Sequence, residues 1–170
     1  LDDALACFAK AVKANARSAQ AFRNLAVTQA RLRRHDEAIG SYRKALALGA
    51  KPGEVCADLG RSLAAAGKAA EAAEAFARAV AAEPDKIGLR SDLAATLAQA
   101  GRHDEAASVC RRALDLAPGH ANLSSLLTLS QLRACDWSDL EVRTRDLIDL
   151  ATARGGAVPP FALLAVSDDP

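Results

Sequence analysis

"EVCADLGRSLAAAGKAAEAAEAFARAVAAEPD", residues 54–85, decides the fold. Apolar positions recur at intervals of three and four within two stretches of about 14 residues, the spacing of amphipathic helices. Gly67 separates the two stretches and Pro84 ends the second, as expected of residues that punctuate helices. Alanine fills most of the apolar positions, so the paired helices must approach closely. Phe76 is the one aromatic side chain of the stretch and fills the space that remains against the next helix.

The same pattern lies on both sides. Residues 21–52, "AFRNLAVTQARLRRHDEAIGSYRKALALGAKP", and 88–119, "GLRSDLAATLAQAGRHDEAASVCRRALDLAPG", fall into register on Leu25, Leu59 and Leu93, a period of 34 residues. Such a period is the mark of a repeat array. Small residues share slots: Ala26, Gly60 and Ala94; Ala38, Ala72 and Ala106; Ala45, Ala79 and Ala113. The bulky slot holds Tyr42, Phe76 and Cys110; Gly67 and Gly101 mark mid-unit turns, and Pro84 and Pro118 end two units. The pattern predicts helices over 1–15, 19–33, 36–49, 53–66, 69–82, 86–100, 103–116, 121–134 and 138–153, with no strand.

Composition sets outer bounds. The 170 residues fit one domain or one short repeat array. With 22 basic and 21 acidic residues interspersed, the chain lacks the charge footprint of a nucleic-acid binder. The "RLRRH" cluster at 31–35 is read as a solvated turn. No apolar run approaches the roughly 20 residues needed to span a bilayer, and no signal peptide is expected before the first helix. Cys7, Cys56, Cys110 and Cys135 lack ligand spacing. They fall within helical patterns, where a reduced cysteine serves as a small hydrophobe, so a cytoplasmic setting is expected. The sequence has no methionine and is therefore expected to be a fragment or a processed chain.

Across residues 19–120 these units resemble the tetratricopeptide repeat, with three consecutive units in register and no insertion. Residues 1–18 match the second half of an earlier unit, with Ala4, Phe8 and Ala11 in the small, bulky and small slots. The resemblance implies an all-α fold, a tetratricopeptide-repeat superhelix or α-solenoid of antiparallel helix pairs, whose first helices line a concave groove. The slot before the register leucine reads Asn24, Asp58 and Asp92, a polar ladder flanked by Arg23 and Arg61. These five residues are the candidate peptide-binding set. Groups so spaced can hydrogen-bond the backbone of an extended peptide, or can tie one unit to the next. Co-chaperone members of the family hold a C-terminal carboxylate in a clamp of Lys, Asn, Asn, Lys and Arg. The matching slots here carry Arg23, Val27, Asp58, Gly88 and Asp92. Two carboxylates would face the ligand's own, and like charges at short range repel, so the clamp reading is rejected.

No catalytic constellation emerges. His35 and His103 share a slot two units apart, too far for one metal when packed helix axes lie about 8–10 Å from each other. "HDEA" at 35–38 and 103–106 reads as a helix opening, with acids near the positive end of the helix dipole. His120 falls in an inter-repeat turn. No GxGxxG, P-loop or GxSxG occurs. No metal and no catalytic residue is expected in this segment.

The rule breaks in residues 121–153. The small slots there hold Thr128, Leu140 and Leu147, the bulky slot Thr144, and the mid-unit glycine position Cys135. Ser138 with Glu141 forms a capping box, and Trp137 can staple onto Val142. After a break at "ARGG", the tail "AVPPFALLAVSDDP" carries an apolar segment that expects something further to pack on. Residues 134–170, from "CDW" to "DDP", resemble the junction of bacterial, SPINDLY-type protein O-GlcNAc transferases. That resemblance implies a parent glycosyltransferase with a UDP-sugar donor and a catalytic region beyond Pro170. It also implies that Asn24, Asp58 and Asp92 hold acceptor protein segments, a ladder that fails at Leu126. The organisation then reads as half a repeat (1–18), three repeats (19–120), a degenerate capping pair (121–153) and a linker (154–170). The competing expectation is a free-standing scaffold for protein–protein interaction with no enzymatic parent. A weaker third, a regulatory module on nucleic acid, is opposed by the balanced charge. Expected partners are an acceptor protein or extended peptide and the chain's own catalytic region, with no nucleic acid, membrane or cofactor bound by this segment.

Overall fold

A computed structural model describes residues 2–136 together with Val142, Arg145, Ile148 and Asp149. The described residues form helices α1 (Asp2–Ala14), α2 (Ala19–Arg31), α3 (His35–Ala47), α4 (Pro52–Ala65), α5 (Ala69–Ala82), α6 (Ile87–Gln99), α7 (His103–Leu116) and α8 (Ala121–Ala134). No strand occurs among them. Each of these helices begins and ends within two residues of its expected bounds. Of the expected helix at 138–153 only Val142, Arg145, Ile148 and Asp149 are described, each in helical conformation; its capping box and the Trp137 staple lie outside the described residues.

The chain divides into two compact units, Leu1–Leu89 and Arg90–Pro170. In the first, α1 packs on α2, α2 on α3, α3 on α4 and α4 on α5, while α2 also meets α4. In the second, α7 packs on α8.

The small slots explain the close packing. Ala26, Ala38, Ala45, Ala72, Ala79, Ala94, Ala106 and Ala113 are all fully buried. Tyr42, Phe76 and Cys110 of the bulky slot are buried as well. Gly60 shows why its slot stays small: a Cβ built there would lie 2.9 Å from two carbons of the Phe76 ring. Cysteine behaviour is split. Cys56 and Cys110 are buried as expected, but Cys7 and Cys135 are exposed, which corrects the reading of all four as small hydrophobes. Burial pushes the Cys110 thiol up to about 12 and raises that of Cys56, because a thiolate is disfavoured away from water.

The turns between paired helices share one solution. After α4, the Gly67 amide donates to Ala64 O at 3.0 Å and the Lys68 amide to Leu63 O at 2.9 Å. This is the Schellman arrangement, which needs a left-handed residue at its centre. Gly67 and Gly101 supply it with φ of 76° and 77°. The first unit repeats the same bonds after α2, with Arg33 (φ 60°) in the glycine slot, and Cys135 (φ 56°) does so after α8. Loss of the glycine at 135 therefore leaves the turn intact. A side chain in this region costs about 1–2 kcal/mol, while glycine gives back part of that as extra unfolded-state entropy. Arg33→Gly is accordingly expected to stabilise the chain by about 0.5–1 kcal/mol, read as a higher urea midpoint; an unchanged or lower midpoint would contradict the strain.

Candidate functional site

The residues of α2 that recur at three- and four-residue steps from Arg23 reach one side of the first unit. Arg23, Val27, Ala30 and Arg31 share a groove of about 510 Å³ with Tyr42 of α3 and with Asp58, Arg61 and Ser62 of α4. His35, at the start of α3, lines it as well. A second groove of about 340 Å³ shares Arg23, Asp58 and Arg61 and continues over Gly53, Glu54, Glu83, Lys86 and Leu89. The larger lies between α2, α3 and α4, and the smaller over α2, α4 and the segment from Glu83 to Leu89.

The charged side chains are held in definite pairs. Arg61 Nη1 donates to Asp58 Oδ1 at 2.7 Å within α4. Arg23 Nη2 donates to Glu54 Oε2, linking α2 to α4. Lys86 pairs with Glu83, whose carboxylate occupies the space that a Cβ at Gly53 would need. The pair raises the Lys86 amine above its ordinary value, because the hydrogen bond and charge of Glu83 favour its protonated form. The Tyr42 phenol is pushed above its ordinary range, first by burial and then by the charge of Asp58; Arg23, Arg61 and Arg31 oppose this. Tyr42 therefore stays a neutral hydroxyl among these charges.

The five candidates from sequence fare unequally. Arg23, Asp58 and Arg61 come together and line both grooves. Asn24 is half-buried but lines neither, and its Oδ1 accepts from Gln20 Nε2 at 2.8 Å. Asp92 is likewise half-buried, on α6 in the second unit. The side-chain hydrogen bonds of Asn24 to Gln20 and of Asp58 to Arg61 lie within single helices, whereas Arg23, through Glu54, ties one repeat to the next. Arg31 and Tyr42 were missed as groove residues. "RLRRH" reads as a solvated turn, yet Arg31 stands four residues after Val27 and so on the same helix face. Tyr42 holds the bulky slot, and it is buried there while also lining the cleft.

Among the described residues, no cluster of three His, Cys, Asp or Glu side chains could hold a metal ion, and no helix is long and apolar enough to cross a membrane. The "HDEA" phrases do open α3 and α7. Arg34 grips Glu37 through bonds of 2.6 and 2.8 Å, and Arg102 grips Glu105 through bonds of 2.6 and 2.7 Å. Glu37 and Glu105 are thus engaged at the helix starts, while Asp36 accepts from Lys68 Nζ at 2.7 Å. The Arg102 hydrogen bond holds the Glu105 carboxyl below its ordinary value.

Family models described as tetratricopeptide repeat match residues 1–54 and 63–129. No curated protein matches the sequence. Among solved structures the chain is similar to YrrB, a TPR protein with an unusual peptide-binding site. The TM-score is 0.82 at 22% identity, over 96% of this chain and 81% of that one. It is also similar to MamA, at TM-score 0.78 and 18% identity over 90% of each chain. A third likeness is to MamA 41-end from Desulfovibrio magneticus RS-1, at TM-score 0.76 and 15% identity, over 91% of this chain and 88% of that one. At such identities the likeness is one of fold. With the 34-residue register, the buried small slots and the two family matches in agreement, the chain belongs to the tetratricopeptide-repeat family.

Proposed function

We propose that the first unit of this chain binds an extended peptide segment of a partner protein in the groove between α2, α3 and α4. One observation carries the reading: two continuous clefts, about 510 and 340 Å³, meet at Arg23, Asp58 and Arg61. Concave sites with apolar walls and a few fixed polar groups are where ligands bind. YrrB, similar in fold, is described as having a peptide-binding site. Asp58 and Arg61, locked to each other, present fixed polar groups to the peptide, while Val27 and Ala30 supply apolar wall.

A finer reading rests on the resemblance of residues 134–170 to the O-GlcNAc transferase junction. In it the groove recruits acceptor proteins, in the cytoplasm, for a UDP-sugar-dependent glycosyltransferase whose catalytic region lies beyond this chain. Asn24 and Asp92 then extend the acceptor contacts as ladder members. The competing reading, a free-standing scaffold, draws support from YrrB and MamA, whose solved chains match over 81% and 90% of their own length.

Ala30→Trp tests the groove. The position is only half-buried and lines the larger cleft, so the indole fills the cleft without entering the core. Peptides selected on the unsubstituted chain from a random dodecapeptide library should lose at least about tenfold in affinity, or about 1.4 kcal/mol, with the melting temperature nearly unchanged. Undiminished binding by the folded variant would place the site elsewhere. In an intact glycosyltransferase parent, the same change should abolish modification of protein acceptors and spare hydrolysis of the UDP-sugar. A parent without that hydrolytic activity would leave the scaffold reading.

A further inference from the structure

Resting on the peptide-binding reading, we infer that the partner segment is acidic and that its carboxylates seat at the Arg31 end of the groove. Of the three guanidinium groups that line the larger cleft, Arg61 neutralises its one carboxylate, Asp58, and Arg23 is engaged by Glu54, which leaves the charge of Arg31 facing the cleft. Arg31 has no carboxylate partner among the described residues and is exposed, so its charge is available to a ligand. Arg23 Nε is buried on the same wall with no acceptor. The neutral Tyr42 hydroxyl, in the lining of the same cleft, adds a donor. Hydrogen bonds from cations to a carboxylate are stronger than those between neutral groups.

The adjoining cleft has the opposite character. There Arg23, Arg61 and Lys86 are matched by Glu54, Asp58 and Glu83, and Arg23 and Lys86 are already engaged by Glu54 and Glu83. Positive excess therefore sits at one end only. This gradient separates an acidic peptide from a nucleic acid. A phosphate backbone carries charge at every residue and would have to pass over Glu54 and Glu83. A peptide can place its acids beside Arg31 and lay an uncharged stretch over the balanced cleft. It also fixes direction, with the acidic end of the bound segment toward Arg31 and the uncharged end toward Lys86.

Selection from a random dodecapeptide phage library on the whole chain reads the charge directly. Enriched peptides should carry two or more Asp or Glu clustered at one end. A recovered peptide, synthesised and titrated, should bind at least about tenfold more weakly to Arg31→Glu, and more weakly as salt rises through the range that screens exposed charges. Arg31→Lys should retain most of the affinity. Arg31 is at the surface, and circular dichroism on each variant checks that the helices persist. Enrichment of neutral or basic peptides in the same groove would overturn the acidic assignment and leave peptide binding standing. Recovery of no peptide at all would overturn both. A 20-nucleotide single strand that binds more tightly than the acidic peptides would overturn the assignment in favour of nucleic acid.

Discussion

Replacing Phe76 with alanine is expected to cost about 3–5 kcal/mol of stability, the range for deleting a fully enclosed aromatic from a core. Phe76 is 1% exposed, and its ring lies against the backbone of α4 at Gly60, with no side chain there to move into the void. Neighbouring core positions are alanines (Ala72, Ala73, Ala75 and Ala79), too short to reach the space. A cavity that cannot collapse sets the cost toward the upper end. Urea unfolding followed at the helical band of the circular dichroism spectrum measures it. Marginal proteins have about 5–15 kcal/mol in all, so the variant should melt far below its parent or fail to fold. A loss under about 1 kcal/mol would mean that the alanine-lined helices close the gap, and that Phe76 is not the spacer between α4 and α5.

Ala72→Leu should destabilise by about 1–3 kcal/mol for the opposite reason, overpacking. Ala72 is fully buried in α5, and α5 packs on α4. Alanine and leucine are both strong helix formers, so local propensity neither hides nor exaggerates the steric effect. Gly60→Ala is less clean, because glycine to alanine gains about 1 kcal/mol of helix propensity against the clash with the Phe76 ring. Ala106→Leu asks the same question of α7, where Ala106 is fully buried in the second unit. Unaltered unfolding midpoints for both leucine variants would contradict the register that places these alanines inward. Combining Phe76→Ala with Ala72→Leu should be non-additive, because neighbouring core residues couple by about 0.5–3 kcal/mol.

Most of the architecture was legible in the sequence, and particular residues show why. Leu25, Leu59 and Leu93, spaced by 34, fix the register without knowledge of any contact. Ala38, Ala72 and Ala106 occupy a slot that is fully buried every time. Gly67 and Gly101 mark turns whose left-handed geometry the structure shows. Arg33 and Cys135 take the same geometry without being glycine, and sequence alone could not say so. The backbone there follows from the helices on either side, which hold the residue in place at the cost of strain.

The groove was legible only in part. Asn24, Asp58 and Asp92 share a repeat slot, yet identical slots do not confer identical surroundings. Asn24 turns to Gln20, whereas Asp58 takes Arg61 and joins the cleft. Arg23 finds Glu54 at a sequence distance of 31 residues, a pairing that depends on how α2 meets α4. Helix period, small-residue slots and turn positions are local properties, written every three or four residues and repeated every 34, so the sequence by itself determined the all-α repeat architecture. Which charges neutralise each other, and which one, Arg31, is left facing the cleft, depends on distances between helices far apart in the chain. Those distances exist only once the alanine-lined faces have closed, and so the character of the groove was decided by the tertiary structure.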